Sequence, residues 1–132
     1  PVSHLMTSNP FSVQAGQKMS DVRHLLADHS IHHVPVLDGK KLVGLISMTD
    51  LVRLSWGASD ARGLDALLDH TVSIREVMAP NPVSIRQTQS IREAAVALSE
   101  GNIHALPVVD GEGDLVGILT STDLIRYLLQ QY

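Results

Sequence analysis

The sequence contains no cysteine, which excludes disulfide scaffolds, thiolate zinc ribbons and thiol nucleophiles. It has only four aromatic residues, one Trp, one Phe and two Tyr, too few for the stacking platforms that hold single-stranded nucleic acid. Positive charge is also scarce. Ten Lys and Arg face fourteen Asp and Glu, a net charge of −4, whereas a phosphate-backbone binder shows a basic face. No apolar run approaches the roughly 18 residues of a membrane-crossing helix, and no basic segment leads into an apolar one at the start. The serine-elbow, Walker, dinucleotide-loop and H-E-x-x-H motifs are all missing. The sequence therefore predicts a cytoplasmic protein that is not an enzyme, with no catalytic cofactor, no nucleic-acid partner and no membrane partner.

What is present is a duplication across the 132 residues. Shifted by 72, Met6-Thr7-Ser8-Asn9-Pro10 falls on Met78-Ala79-Pro80-Asn81-Pro82, and Ile31-His32-His33-Val34-Pro35-Val36 falls on Ile103-His104-Ala105-Leu106-Pro107-Val108. One extra residue in the turn at Gly111–Asp114 moves the offset to 73. Leu42-Val43-Gly44 then meets Leu115-Val116-Gly117, and Thr49-Asp50-Leu51 meets Thr122-Asp123-Leu124. Identities number 12 of 34 before that insertion and 7 of 14 after it, clustered at Pro, Gly, Asp and apolar positions. Such clustering marks a repeat of structural units. We divide the chain into residues 1–56, a connector at 57–72 and residues 73–132.

Each copy reads as β-α-β-β-α, giving a mixed α+β, sandwich-like fold of two repeats related by pseudo-twofold symmetry. Met19, Val22, Leu25 and Leu26, and Ile91, Ala94, Ala95 and Leu98, recur at helical spacing. Strands are predicted at 34–37 and 42–47, and again at 106–109 and 115–120, with Asp-Gly turn signals between them. These strands are nearly all apolar, which points to sheets covered on both faces. Ser90 with Glu93 and Ser73 with Glu76 match the capping box. In the connector, Gly57, Ser59, Asp60 and Gly63 precede Leu64, Leu67 and Leu68, the signature of a short amphipathic helix. Asp21, Asp28, Asp60, Asp65 and Asp69 are expected at solvated surface.

The duplicated chemistry lies where strand turns into helix: Gly44-Leu45-Ile46-Ser47-Met48-Thr49-Asp50 and Gly117-Ile118-Leu119-Thr120-Ser121-Thr122-Asp123. A helix N-terminus offers unpaired N–H groups to a phosphate. Hydroxyls at alternate strand positions, Ser47 with Thr49 and Thr120 with Thr122, would share one side. A carboxylate there can accept from a vicinal diol. The same residues serve equally as helix caps, since Ser, Thr and Asp are favoured at helix starts. Both readings stay open on the residues alone.

These motifs resemble the cystathionine-β-synthase-type domain, the CBS domain, present as a tandem pair over nearly the whole chain apart from the connector. The resemblance implies a pseudo-twofold module that binds an adenosyl ligand, of the AMP, ATP or S-adenosylmethionine type, in clefts between the repeats. It implies a regulatory sensor that often forms a homodimer and acts on a partner protein or a fused domain. One cleft would use Ile118, Thr120, Thr122 and Asp123 with Met6, Asn9, Ile31, His32 and His33. The other would use Leu45, Ser47, Thr49 and Asp50 with Met78, Asn81, Ile103, His104 and Ala105. In the family the Asp holds the ribose hydroxyls, and some members place Arg or Lys where this chain has His33 and Ala105. The cleft with Asp123 and His33 is thus the better match for a phosphorylated ligand. The alternative is a constitutive dimerisation or protein-interaction module with vestigial clefts. A third reading, metal binding by His24, His29, His32 and His33, lacks converging carboxylates or thiolates. Met19, Val22, Leu26, Leu51, Leu54, Leu124 and Leu128 read as core, or as an interface wherever they prove exposed.

Overall fold

The structure, a computed structural model, describes residues 1–55 and 60–132. Trp56 and the connector residues Gly57 and Ser59 lie outside the described residues. After a 3-10 turn at Val2–His4 come β1 (Thr7–Ser8), β2 (Val13–Gln14), α1 (Met19–Asp28), β3 (His33–Asp38), β4 (Lys41–Ser47) and α2 (Met48–Leu54). There follow α3 (Ala61–Thr71), α4 (Ile74–Val77), β5 (Ala79–Pro80), β6 (Ile85–Arg86), α5 (Ile91–Ser99), β7 (Ala105–Val109), β8 (Leu115–Thr120) and α6 (Ser121–Gln130). The mixed α/β composition agrees with the sequence reading.

The elements form two compact units, one of residues 11–82 and one of residues 1–10 with 83–132. The first holds a sheet ordered β2-β3-β4-β5, the second a sheet ordered β1-β8-β7-β6. In each, the strand before the long helix runs parallel to its neighbour (β2 with β3, β6 with β7), and the remaining pairs are antiparallel. Each unit thus takes its fourth strand from the opening segment of the other sequence repeat. Thr7 pairs with Ile118 and Leu45 with Ala79. The compact units therefore cross the repeat boundaries at the segments 1–10 and 73–82.

Local chemistry accounts for the turns. Gly39, at φ +64°, closes the β3–β4 hairpin in the left-handed region that glycine enters freely. The extra residue of the second copy is absorbed in a loop where Asp110 Oδ1 accepts from the amides of Glu112 and Asp114 at 2.9 and 3.0 Å. Both hairpins shift register at the same place, between Val36 and Leu37 and between Val108 and Val109. The expected capping boxes form at Ser73–Glu76 and Ser90–Glu93. Met19, Val22, Leu26, Val34, Val36 and Ile46 fill one core, and Leu98, Leu106, Val108 and Leu119 fill the other.

Burial alternates along β4 and β8, whereas β7 is buried throughout and β3 through Val34–Val36. In β4, Gly44 and Ile46 are buried while Val43, Leu45 and Ser47 are half-buried; in β8, Gly117 and Leu119 are buried while Val116, Ile118 and Thr120 are half-buried. Only one face of β4 and of β8 is therefore sealed. The other face leads into the candidate site.

Candidate functional site

The two strand-to-helix junctions are built alike. Ser47 is the N-cap of α2 and Thr120 the N-cap of α6. Asp50 and Asp123 stand three residues further on, where a carboxylate can reach back. Asp123 Oδ2 accepts from the Thr120 amide at 2.8 Å and from Thr120 Oγ1 at 3.1 Å, and the Asp123 amide donates to Thr120 Oγ1 at 3.4 Å. At the other junction the distances are 2.9, 3.0 and 3.3 Å. The helices therefore begin at Met48 and Ser121, one residue before the Thr49 and Thr122 starts that the Thr-Asp pairs suggested. The hydroxyls of Ser47 and Thr120 are engaged in capping, and Thr49 and Thr122 sit in the first helical turn, exposed, rather than on a strand beside them. The reason is reciprocal capping, which satisfies two backbone donors at once.

Capping uses only one oxygen of each carboxylate. Among the described residues nothing hydrogen-bonds Oδ1 of Asp50 or Asp123. An ionised carboxylate oxygen accepts two bonds, so each Asp keeps capacity for a neighbouring diol while it caps its helix. The junctions differ in one amide. Met48 N–H donates to His32 O at 2.8 Å, and no matching bond is made at Ser121 among the described residues.

The opening segments complete each group. Met6 lies over Gly117 and Met78 over Gly44; a Cβ added to either glycine would overlap the methionine sulfur. Asn9 and Asn81 take left-handed backbone (φ 50° and 46°), and their amides donate to Val116 O and Val43 O, each at 3.2 Å. Asparagine tolerates this conformation better than most residues, so it ends the two-residue strand before the proline. One unit therefore brings together Ile118, Thr120, Thr122, Asp123, Met6 and Asn9. The other brings together Leu45, Ser47, Thr49, Asp50, Met78 and Asn81. Ile31, His32 and His33 fall in the unit of Asp50, with His33 opposite Ser47 across the β3–β4 pair. Ile103, His104 and Ala105 fall in the unit of Asp123, with Ala105 opposite Thr120. The sequence missed the seating role of Gly44 and Gly117. An isolated glycine inside an apolar strand is the signal that would have found it.

Of the carboxylates expected at solvated surface, Asp28, Asp60 and Asp69 are exposed and Asp21 and Asp65 half-buried, and four of the five also hold neighbouring groups. Asp69 accepts from the Ser20 amide and hydroxyl at 2.9 and 2.7 Å, and Asp65 pairs with Arg23 and with His24, the latter at 2.8 Å. The Arg23 guanidinium, helped by His24, holds the Asp65 carboxyl down at about 2. Asp60 caps α3 through the Gly63 amide, and Asp21 accepts from the Lys18 amide at 3.1 Å. The histidine cluster separates: His24 turns to Asp65, while His29 stacks on Phe11 with ring centres 3.9 Å apart. Among the described residues no three potential ligands converge as a metal ion requires.

The CBS domain family model matches residues 2–57 and again residues 74–130. The chain belongs to the CBS-domain family. Among CBS pairs of known structure, CBSX2 of Arabidopsis thaliana, determined in complex with AMP, is 31% identical with a TM-score of 0.82, covering 98% of this chain and 96% of its own. The CBS pair of protein MJ0100, determined with 5′-methylthioadenosine and S-adenosyl-L-methionine, is 26% identical with a TM-score of 0.80, covering 99% and 97%. The L-aspartate semialdehyde sulfurtransferase of Methanocaldococcus jannaschii is 28% identical over 126 residues, 95% of this chain. This chain spans 22% of that relative's length and 23% of a second curated relative with an enzyme name. No helix among the described residues is long and apolar enough to cross a membrane.

Proposed function

We propose that the chain is a regulatory sensor module that binds an adenosyl ligand of the AMP, ATP or S-adenosylmethionine type and transmits occupancy by a conformational change. The observation that carries this reading is the duplicated capping box, which among the described residues leaves one oxygen of Asp50 and of Asp123 without a hydrogen bond beside a half-buried apolar strand face. The free oxygen would accept from the ribose hydroxyls, and Ile118 or Leu45 would lie against the base. The ligand complexes of CBSX2 and MJ0100 support the ligand class. The Asp123 group suits a phosphorylated ligand better, because the ten-residue helix α6 keeps the Ser121 amide that its counterpart Met48 has committed. The chain itself carries no reaction in this proposal.

The same reading includes a cytoplasmic location, a regulated partner or fused domain, and a homodimer. The homodimer rests on α6, which leaves Ile125, Leu128 and Leu129 exposed at 57%, 54% and 69%. A contiguous apolar stripe of this kind marks an interface, and a closed twofold assembly is the usual outcome. Leu128, read from the sequence as core or interface, thus falls on the interface side.

A thermal-shift screen with AMP, ATP, S-adenosylmethionine and GTP tests the proposal. A ligand at a hundredfold its Kd stabilises the folded state by about 2.7 kcal/mol, or roughly 10 °C or more in a domain of this size. A shift with adenosyl compounds and not GTP supports the sensor. No shift with any of them favours the interaction-module reading.

A further inference from the structure

Each capping carboxylate is followed by a second duplicated charge. An arginine stands three residues on in both copies, Arg53 after Asp50 and Arg126 after Asp123, and the offset of 73 relates both pairs. In a helix that spacing puts two side chains on one face, with Cβ atoms about 5–6 Å apart. Long helical side chains lean back toward the N-terminus. A side chain at position 126 therefore has the first turn of α6, with Ser121, Thr122 and Asp123, within its reach. Arg126 is exposed, and among the described residues its guanidinium makes neither an ion pair nor a hydrogen bond. Asp123 Oδ1, on the same face, is not its partner.

Fixed positive charge is otherwise scarce in this unit. Residues 1–10 and 83–132 hold no lysine and three arginines. Arg86 lies on β6, which β7 separates from β8, and Arg92 lies on α5. Ala105, opposite Thr120 across the β7–β8 pair, is buried and uncharged. Only Arg126 stands on the strand and helix that meet at Asp123.

We propose that Arg126 is the residue that selects a phosphorylated ligand at the Asp123 site. Asp123 Oδ1 accepts from the ribose hydroxyls while the guanidinium donates to the phosphate oxygens, with the Ser121 amide as a further donor. The planar fork of arginine matches two phosphate oxygens at once. This assignment rests on the adenosyl reading of the site and adds the group that distinguishes a nucleotide from a nucleoside. Arg53 repeats the position, but the Met48 amide beside it is committed to His32 O, so the Asp50 site lacks the second donor.

Calorimetric titration of AMP and of adenosine, which lacks only the phosphate, tests the assignment. Both are titrated into the full chain carrying Asp50→Asn, so that the Asp123 site is read alone. Adding Arg126→Gln should weaken AMP about tenfold or more, as the loss of a hydrogen bond between charged groups does, and leave adenosine within about twofold. Arg126→Lys keeps the charge without the fork and should recover part of the loss. Added salt should weaken AMP more than adenosine while Arg126 is present, and both alike in Arg126→Gln. The position is exposed, and an unchanged thermal midpoint confirms that each variant folds. AMP affinity indifferent to Arg126→Gln overturns the assignment. So does an equal loss for AMP and adenosine, which would make Arg126 a residue that positions Asp123. AMP selectivity lost in His104→Gln but kept in Arg126→Gln would move the phosphate to the strand side and overturn it too. Binding of neither compound while Arg126 is intact is a different failure: it removes the adenosyl reading of the Asp123 site, and this assignment with it.

Discussion

At the scale of single residues, the site rests on side chains that serve fold and ligand together. Asp123 is the clearest case. Asp123→Ala would remove the return half of the capping box, the acceptor for the Thr120 amide, as well as the ligand acceptor, so lost binding in that variant would be ambiguous. Asp123→Asn separates the roles, because the amide oxygen can still accept from Thr120 while an NH2 donor replaces the other oxygen. We predict a thermal midpoint within a few degrees of the parent and adenosyl affinity at least tenfold weaker. Gly117→Ala and Gly44→Ala test the methionine seats. Each introduces a Cβ into the space of Met6 or Met78 and should destabilise by about 1–3 kcal/mol. Adding Met6→Ala to Gly117→Ala should recover part of that loss, a coupling that denaturant unfolding of the double variant measures.

At the scale of elements, the clasp between α1 and α3 carries a pH dependence. The folded-state pKa of Asp65, about 2, lies below the ordinary aspartate value near 3.9. Its stabilisation is therefore present in full above about pH 4 and is lost as pH falls through 2. Asp65→Asn should flatten the stability profile between about pH 4 and pH 2, read from urea midpoints, and leave the slope above pH 5 unchanged. Elements also show what the sequence made legible. β8 was predicted at its observed limits because an apolar run follows the Asp-Gly turn signal and ends at a hydroxyl before the helix. The start of α6 falls one residue before the expected Thr122 because Thr120 and Thr122 are equally good N-caps in isolation, and only the reach of Asp123 back to Thr120 chooses between them. Strands β1 and β5 have two residues each, too short for any period, so Met6…Asn9 was readable only as a recurring motif.

At the scale of the whole molecule, the duplication was legible from its prolines, glycines and aspartates. The exchange of opening strands was not, since no local pattern records which of two similar sheets a two-residue strand will join. The same exchange puts Met6 and Asn9 in the unit of Ile118 and Asp123, and Met78 and Asn81 in that of Leu45 and Asp50, as the resemblance implied, while Ile31, His32 and His33 fall in the unit of Asp50 and Ile103, His104 and Ala105 in that of Asp123. The most direct test of the sensor account is calorimetric titration of AMP and S-adenosylmethionine into the parent chain and into Asp50→Asn/Asp123→Asn. The account predicts saturable binding of at least one compound to the parent and a loss of tenfold or more in a double variant that remains folded. Equal affinity in the two proteins, or no heat from either compound with the parent, would contradict it.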